Sequence, residues 1–138
     1  MSGVADEVRE RIESDAYCET LGIDVVELDS GYAQTELTIT EDLLNFHGTP
    51  HGGAVYSLAD AAFAAASNSH GEAAVALETN ISYLDAVETG ETLSAVAEET
   101  HLADSTAEYE VTVTAQDGER IATFRGRVYR PDSQSRWS

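Results

Sequence analysis

The residues best placed to do chemistry lie in one stretch, Asn45 to Asn68, which reads NFHGTPHGGAVYSLADAAFAAASN. Gly52 and Gly53 close a glycine-rich turn, HGTPHGG, and open a run of helix-compatible residues from Ala54 to Ala66. The first N–H groups of a helix lack intrahelical acceptors and lie at the positive end of its dipole. Glycine lets a ligand approach them closely, so this end suits an oxyanion or a polarised carbonyl oxygen. Asp60 follows eight residues after Gly52, about 12 Å along the axis of a helix. A reacting carbon must sit about 3 Å from both partners, so one helix does not supply both groups. Two antiparallel copies do, with the Gly52 end of one facing Asp60 of the other. The spacing therefore predicts a two-fold homodimer with two shared sites, isologous dimers being the commonest assembly. A plainer reading fits the same residues: HGG only starts a helix, and Asp60 is a hydrogen-bonded polar residue of the core.

These groups need a frame. A helix that is apolar nearly all round has to be buried. It is shorter than the ~18 to 20 apolar residues of a membrane span and carries Asp60 near its middle. Asn68-Ser69-His70-Gly71 reads as its stop. Residues 3–14 read as a short helix, with Val4, Val8, Arg11 and Ile12 as a weak stripe. GIDVVELDSGYAQTELTIT reads as two strands joined at Asp29-Ser30-Gly31, with Val25, Leu37 and Ile39 facing the core. Glu41 to Leu44 reads as a brief turn or helical loop. Strand-like runs follow at Ala73–Leu84, Glu91–His101, Ser105–Ala115 and Arg120–Tyr129. The order predicts an α+β protein with an antiparallel sheet. The central helix, ~17 residues and ~25 Å, matches the length of an eight-residue strand, so a curved sheet can cover it. Residues 1–138 form one domain of ordinary size, with a loose tail over 131–138.

HGGAVYSLADAAFAAASNSHG, preceded by LLNFHG and followed by TNISYLDAVETGETLSA, closely resembles the hotdog-fold acyl-CoA thioesterases of the phenylacetate-degradation type. These belong to the 4-hydroxybenzoyl-CoA thioesterase superfamily. The resemblance runs from about Tyr17 to Arg130 and includes the closing FRGRVYR strand. It implies a long helix wrapped by an antiparallel sheet, with the active site between two subunits and dimers often paired into tetramers. It implies hydrolysis of a small aryl- or acyl-CoA thioester, coenzyme A being part of the substrate and no separate cofactor being needed. Gly52 N–H would polarise the thioester carbonyl, Asn45 would donate a side-chain N–H to the same oxygen, and His51 would shape the turn. Asp60 of the other subunit would act as nucleophile, through a mixed anhydride, or as general base for water. Desolvation in an apolar seam would raise its pKa and favour the base role. Some relatives carry a serine where this chain has Ala76; Thr79 and Ser57 are the available substitutes for holding water. Ala86 stands where relatives often have proline. Two alternatives are an acyl-thioester dehydratase using His51 and Asp60 as acid and base, and a non-catalytic acyl-CoA-binding module.

Other residues are read more simply. Cys18 is the single cysteine and reads as a packed thiol; with no intrachain disulfide possible, a reducing cytoplasm fits. The N-terminus shows no signal peptide. His47 and His51 lie four apart in a Gly/Pro loop, with no Cys or Glu to complete a zinc set, so no metal site is expected. His70 and His101 sit at element ends and read as solvated. Arg125 and Arg127 alternate onto one face of the last strand, with Arg130 just beyond. They read first as surface ion pairs, and more sharply as bidentate ligands for the phosphates of coenzyme A. Phe46, Tyr56, Phe63 and Tyr83 read as core aromatics or as the lining of an acyl pocket.

The net charge is −19, and all seven basic residues are arginine. This excess of acid repels nucleic acid, while 42% hydrophobic residues exclude an acidic disordered chain. Scattered acid suits a solvated surface working in molar salt, where the Debye length falls to ~3 Å and self-repulsion is screened. A salt titration followed by circular dichroism and activity tests this: folding and turnover are expected to rise with salt, and full function in dilute buffer would overturn the reading.

Overall fold

The computed structural model describes residues 3–131. The elements run α1 (Asp6–Glu13), α2 (Ala16–Leu21), β1 (Asp24–Asp29), β2 (Tyr32–Thr38), a 3₁₀ turn (Glu41–Leu43), α3 (Gly52–Asn68), β3 (Val75–Tyr83), β4 (Thr92–Leu102), β5 (Thr106–Thr114) and β6 (Arg120–Tyr129). All strand pairings are antiparallel. The six strands form one sheet in the order β1-β2-β4-β5-β6-β3. After α3 the chain therefore crosses to the far side and β3 pairs with the last strand. This is the expected α+β architecture, a hotdog fold with α3 as the filling.

Period-two alternation puts one face of each central strand on α3. Ala33, Thr35 and Leu37 of β2, Leu93, Ala95 and Ala97 of β4, and Tyr109, Val111 and Val113 of β5 are all buried. Leu58, Ala59, Ala62, Phe63 and Ala66 meet them from the helix. Thr35 is satisfied, its hydroxyl donating to the Leu58 carbonyl at 3.0 Å. The expected Leu37 and Ile39 are core residues, whereas Val25 is only half-buried. Phe63 contributes most volume from the helix and lies edge-on to Tyr109, with ring centroids 5.8 Å apart. It fits because β6 has Gly126 beneath it: a Cβ there would stand 2.4 Å from Phe63 Cε1.

Two local expectations are corrected. The first helix is shorter than 3–14, and a second, α2, follows it. Asp15 caps α2 by accepting the Cys18 N–H at 3.0 Å, and Gly22 ends it at φ 86°. Both are ordinary start and stop residues, but a six-residue helix has too little periodicity to stand out. His70 is not solvated. Its Nε2 donates to Glu99 Oε2 at 2.7 Å, and the Tyr109 hydroxyl donates to the same oxygen at 2.6 Å. Burial acts to raise the Glu99 pKa, but these bonds and the Arg130 charge outweigh it and hold the carboxyl below its ordinary value. The cluster ties the end of α3 to β4 and β5. The expected tail, apart from Pro131, lies outside the described residues.

Two surfaces stay uncovered in the single chain. On α3, Tyr56, Ser57, Asp60 and Ala61 are half-exposed and Ala64 is exposed, a stripe at helical spacing that breaks the expectation of an all-round buried helix. On the sheet, β3 pairs with β6 alone and leaves its other edge open. Around that strand Leu77, Tyr83 and Leu84 are exposed, and Leu77 is the extra residue of a β-bulge opposite Val128 and Arg127.

Gly126→Ala is expected to force Phe63 out of its place between Tyr109 and Phe124. Overpacking of this kind costs about 1 to 3 kcal/mol. Denaturant unfolding should show a lower midpoint, and combining Phe63→Leu with Gly126→Ala should restore part of it.

Candidate active site

The start of α3 is built by a loop that Asn45 organises. Asn45 Oδ1 accepts the N–H of His47 at 2.9 Å, the N–H of Thr49 at 3.2 Å and the Thr49 hydroxyl at 3.1 Å. Its backbone N–H donates to the Thr49 carbonyl at 2.8 Å, and Gly48 turns the loop at φ 80°. Three donors on one oxygen fix the amide orientation. The Nδ2 side faces away with no acceptor among the described residues, as a carbonyl-binding donor requires. A bridge between Leu44 and Pro50 and the His51 N–H to Leu43 carbonyl bond, 2.8 Å, close the loop onto the helix.

His51 caps α3 with its ring. Nδ1 accepts the Gly53 N–H at 2.8 Å, so the proton of the neutral ring sits on Nε2. Gly53 is glycine for this reason: a Cβ there would stand 2.9 Å from Nδ1. The Gly52 N–H has no acceptor among the described residues. The loop and helix start thus present up to three donors without partners among the described residues: Gly52 N–H, Asn45 Nδ2 and His51 Nε2–H. The Tyr83 hydroxyl donates to the Gly52 carbonyl at 2.9 Å. Burial, then the neighbouring Tyr56, raises the Tyr83 pKa and keeps it a donor.

Asp60 stands two turns along the same helix, on the uncovered stripe. Desolvation is the main cause of its raised pKa, and the charge of Asp15 adds to it. Cys18 shares this corner. Burial first, then Asp15 by charge and hydrogen bond, and Asp60 by charge, push its thiol up to about 11, which keeps it protonated and weakly nucleophilic. Ser57, three residues before Asp60, shares a hydrogen bond with Tyr17 at 2.9 Å. Thr79 bonds to the Tyr56 hydroxyl. Ala76 is in register with Val128 but exposed, and offers no hydroxyl.

The structure brings Asn45, His51 and Gly52 together and keeps Asp60 apart on the same helix. Arg125 and Arg127 do not join them. Phe124, Gly126 and Val128 point inward, so the two arginines lie on the outer face. Arg127 stands 3.9 Å from Glu78, and Arg125 is in register with Asn80 and Glu110. The metal-like pair is split: His51 caps the helix while His47 stacks on Phe46 at 4.1 Å. Of the four aromatics, Phe63 is core, Tyr56 is half-buried, and Tyr83 and Phe46 are exposed at 54% and 93%. Tyr17, bonded to Ser57 at the uncovered stripe, is placed there by the short α2 that sequence periodicity did not show.

A six-stranded antiparallel sheet wrapped round one helix is the hotdog fold. The chain belongs to the thioesterase superfamily, whose profile matches residues 47–122, and it is a thioester hydrolase by that membership. The Escherichia coli acyl-coenzyme A thioesterase PaaI is 42% identical over 118 residues, covering 86% of this chain and 84% of the relative. The solved structure of the E. coli PaaI protein superposes with a TM-score of 0.85 at 40% identity, covering 88% of each chain. A Streptococcus mutans structure bound to acetyl CoA superposes with a TM-score of 0.74 at 29% identity, covering 78% of this chain and 87% of that one.

Asp60 has to be ionised to act as base or nucleophile. Because burial raises its pKa, the acid limb of the kcat/KM profile is expected above the ordinary carboxylate value of 3.8. Activity should fall as pH drops through that limb. A profile without a carboxylate limb would remove Asp60 from the reaction.

Proposed function

We propose that this chain is an acyl-CoA thioesterase that hydrolyses a small aryl- or acyl-CoA thioester to the free acid and coenzyme A. It works as a homodimer with two shared sites, with a dimer of dimers as a further level of assembly. The observation that carries the reading is the separation on α3. Free donors stand at Gly52 and an activated carboxylate at Asp60, about 12 Å apart along the axis. A second copy laid antiparallel on the uncovered stripe brings the two halves together. The open edge of β3 offers a second place for another copy to pair, since an unpaired edge is a template for another strand.

In the shared site the thioester carbonyl oxygen accepts from Gly52 N–H and Asn45 Nδ2. Asp60 of the partner removes a proton from water, and the hydroxide adds to the carbonyl carbon. The tetrahedral oxyanion rests on the donors, one such donor being worth about 3 kcal/mol. Its collapse breaks the C–S bond, and the thiolate leaves and takes up a proton. The Ser57 hydroxyl, one turn from Asp60 and bonded to Tyr17, is the group suited to hold the water, Ala76 having no hydroxyl. Attack by Asp60 itself, through a mixed anhydride that water then opens, uses the same groups.

Thiol release from a panel of acyl-CoA thioesters in high salt tests the reading. Asp60→Asn is expected to lower kcat by about 10²- to 10⁴-fold, the usual span for a general base, without lowering the melting temperature. Asp60→Asn and Asn45→Ala subunits, each nearly inactive, should regain about a quarter of wild-type activity when refolded together in equal amounts. Half of such dimers are hybrids, and each hybrid has one intact site. No regain would place each site within one chain; water loss from a β-hydroxyacyl thioester without thiol release would favour a dehydratase.

A further inference from the structure

Two consecutive glycines are the least rigid place in a chain to mount a catalytic donor. The peptide unit joining Gly52 to Gly53 is nevertheless held at both ends by side chains. Its carbonyl accepts from the Tyr83 hydroxyl at 2.9 Å, and its N–H donates to His51 Nδ1 at 2.8 Å. The three atoms that a Cβ on Gly52 would meet first all belong to Tyr83, at 3.4 to 3.6 Å. The phenol ring therefore packs beside this peptide as well as bonding to it. Thr79, four residues earlier on the same face of β3, bonds to Tyr56, one helical turn beyond Gly52. The inner face of β3 thus grips the first turn of α3 at two points.

We propose that Tyr83 is a positioning residue for hydrolysis: its hydroxyl fixes the Gly52–Gly53 peptide and so aims the adjoining Gly52 N–H at the thioester oxygen. The inference rests on the thioesterase reading above. It adds that the direction of the donor is set from the strand β3 and not only from the loop that precedes the helix. Gly52 is the first residue of α3, so the helix and the His51 cap hold this peptide from the helix side, where the end turn is the weakest part. The Tyr83 hydroxyl adds an anchor on the carbonyl from the sheet side. Preorganised donors act because they need no rearrangement as charge develops, and a small misplacement is enough to cost about 100-fold.

Tyr83→Phe keeps the ring and removes the hydrogen bond. We expect kcat to fall about 10- to 100-fold with KM within about twofold, the pattern of an interaction realised in the transition state. A ketone analogue of acyl-CoA, which keeps the carbonyl, should bind more weakly to the variant. An alkyl-CoA thioether, which has no carbonyl, should bind as before. Nitrogen-15 relaxation should show the Gly52 and Gly53 amides more mobile in the variant and the middle of α3 unchanged. Equal kcat, or equal losses for ketone and thioether, would overturn the positioning role, the second result assigning Tyr83 to substrate contact. If wild-type protein releases no thiol from any acyl-CoA, the thioesterase reading fails. Amides as ordered in the variant as in wild type would overturn the clamp whatever the activity.

Discussion

The close approach of α3 to the sheet governs the rest of the molecule. Alanines dominate both sides of the contact: Ala59, Ala62 and Ala66 on the helix, Ala33, Ala95, Ala97 and Ala122 on the strands. Small side chains let the sheet curve round the helix, and the largest buried side chain the helix contributes, Phe63, sits over Gly126 between Tyr109 and Phe124. That close fit holds the helix at one depth. That fixes how far its start stands from β3 and which residues remain uncovered.

The groups proposed for the chemistry lie in the loop before α3 and on the parts of α3 that the sheet does not cover. At the start, backbone donors lack helical acceptors by geometry, and the surrounding loop uses its own groups on itself. Asn45 gives its oxygen to the loop and keeps its N–H₂ free; His51 gives Nδ1 to the helix and keeps Nε2–H free. The same bonds that fold the loop thus select which donors face outward. Further along, Asp60 is half-buried with no cation beside it among the described residues, and burial and the nearby Asp15 make its ionisation harder.

The charge of the protein is arranged separately from this site. The outer sheet face carries Glu78, Glu108 and Glu110 in register with Arg125 and Arg127, and Arg127 stands 3.9 Å from Glu78. Directly opposite positions, such as Glu98 and Glu110, place like charges together, which is unfavourable in dilute solution. The face is wet by alternation and acidic by composition, and neither property bears on the helix packed behind it.

The sequence by itself determined the element order apart from the short α2, the strands to within about two residues, and the start and stop of α3. These are local properties: period-two alternation, turn residues such as Gly31 and Gly118 at positive φ, and a helix whose caps are written in HGG and NSHG. The resemblance to thioesterases was legible for the same reason, because its motif lies in one continuous stretch. Tertiary structure decided which face of α3 stays open, that β3 crosses to β6, that Arg125 and Arg127 fall on the outer face, and that His70 meets Glu99 and Tyr109. It also brought Tyr83 onto the Gly52 carbonyl, a contact between residues 31 apart in the chain. Such pairings depend on strand order and register, and no local pattern encodes those: they follow only when the whole sheet closes round the helix.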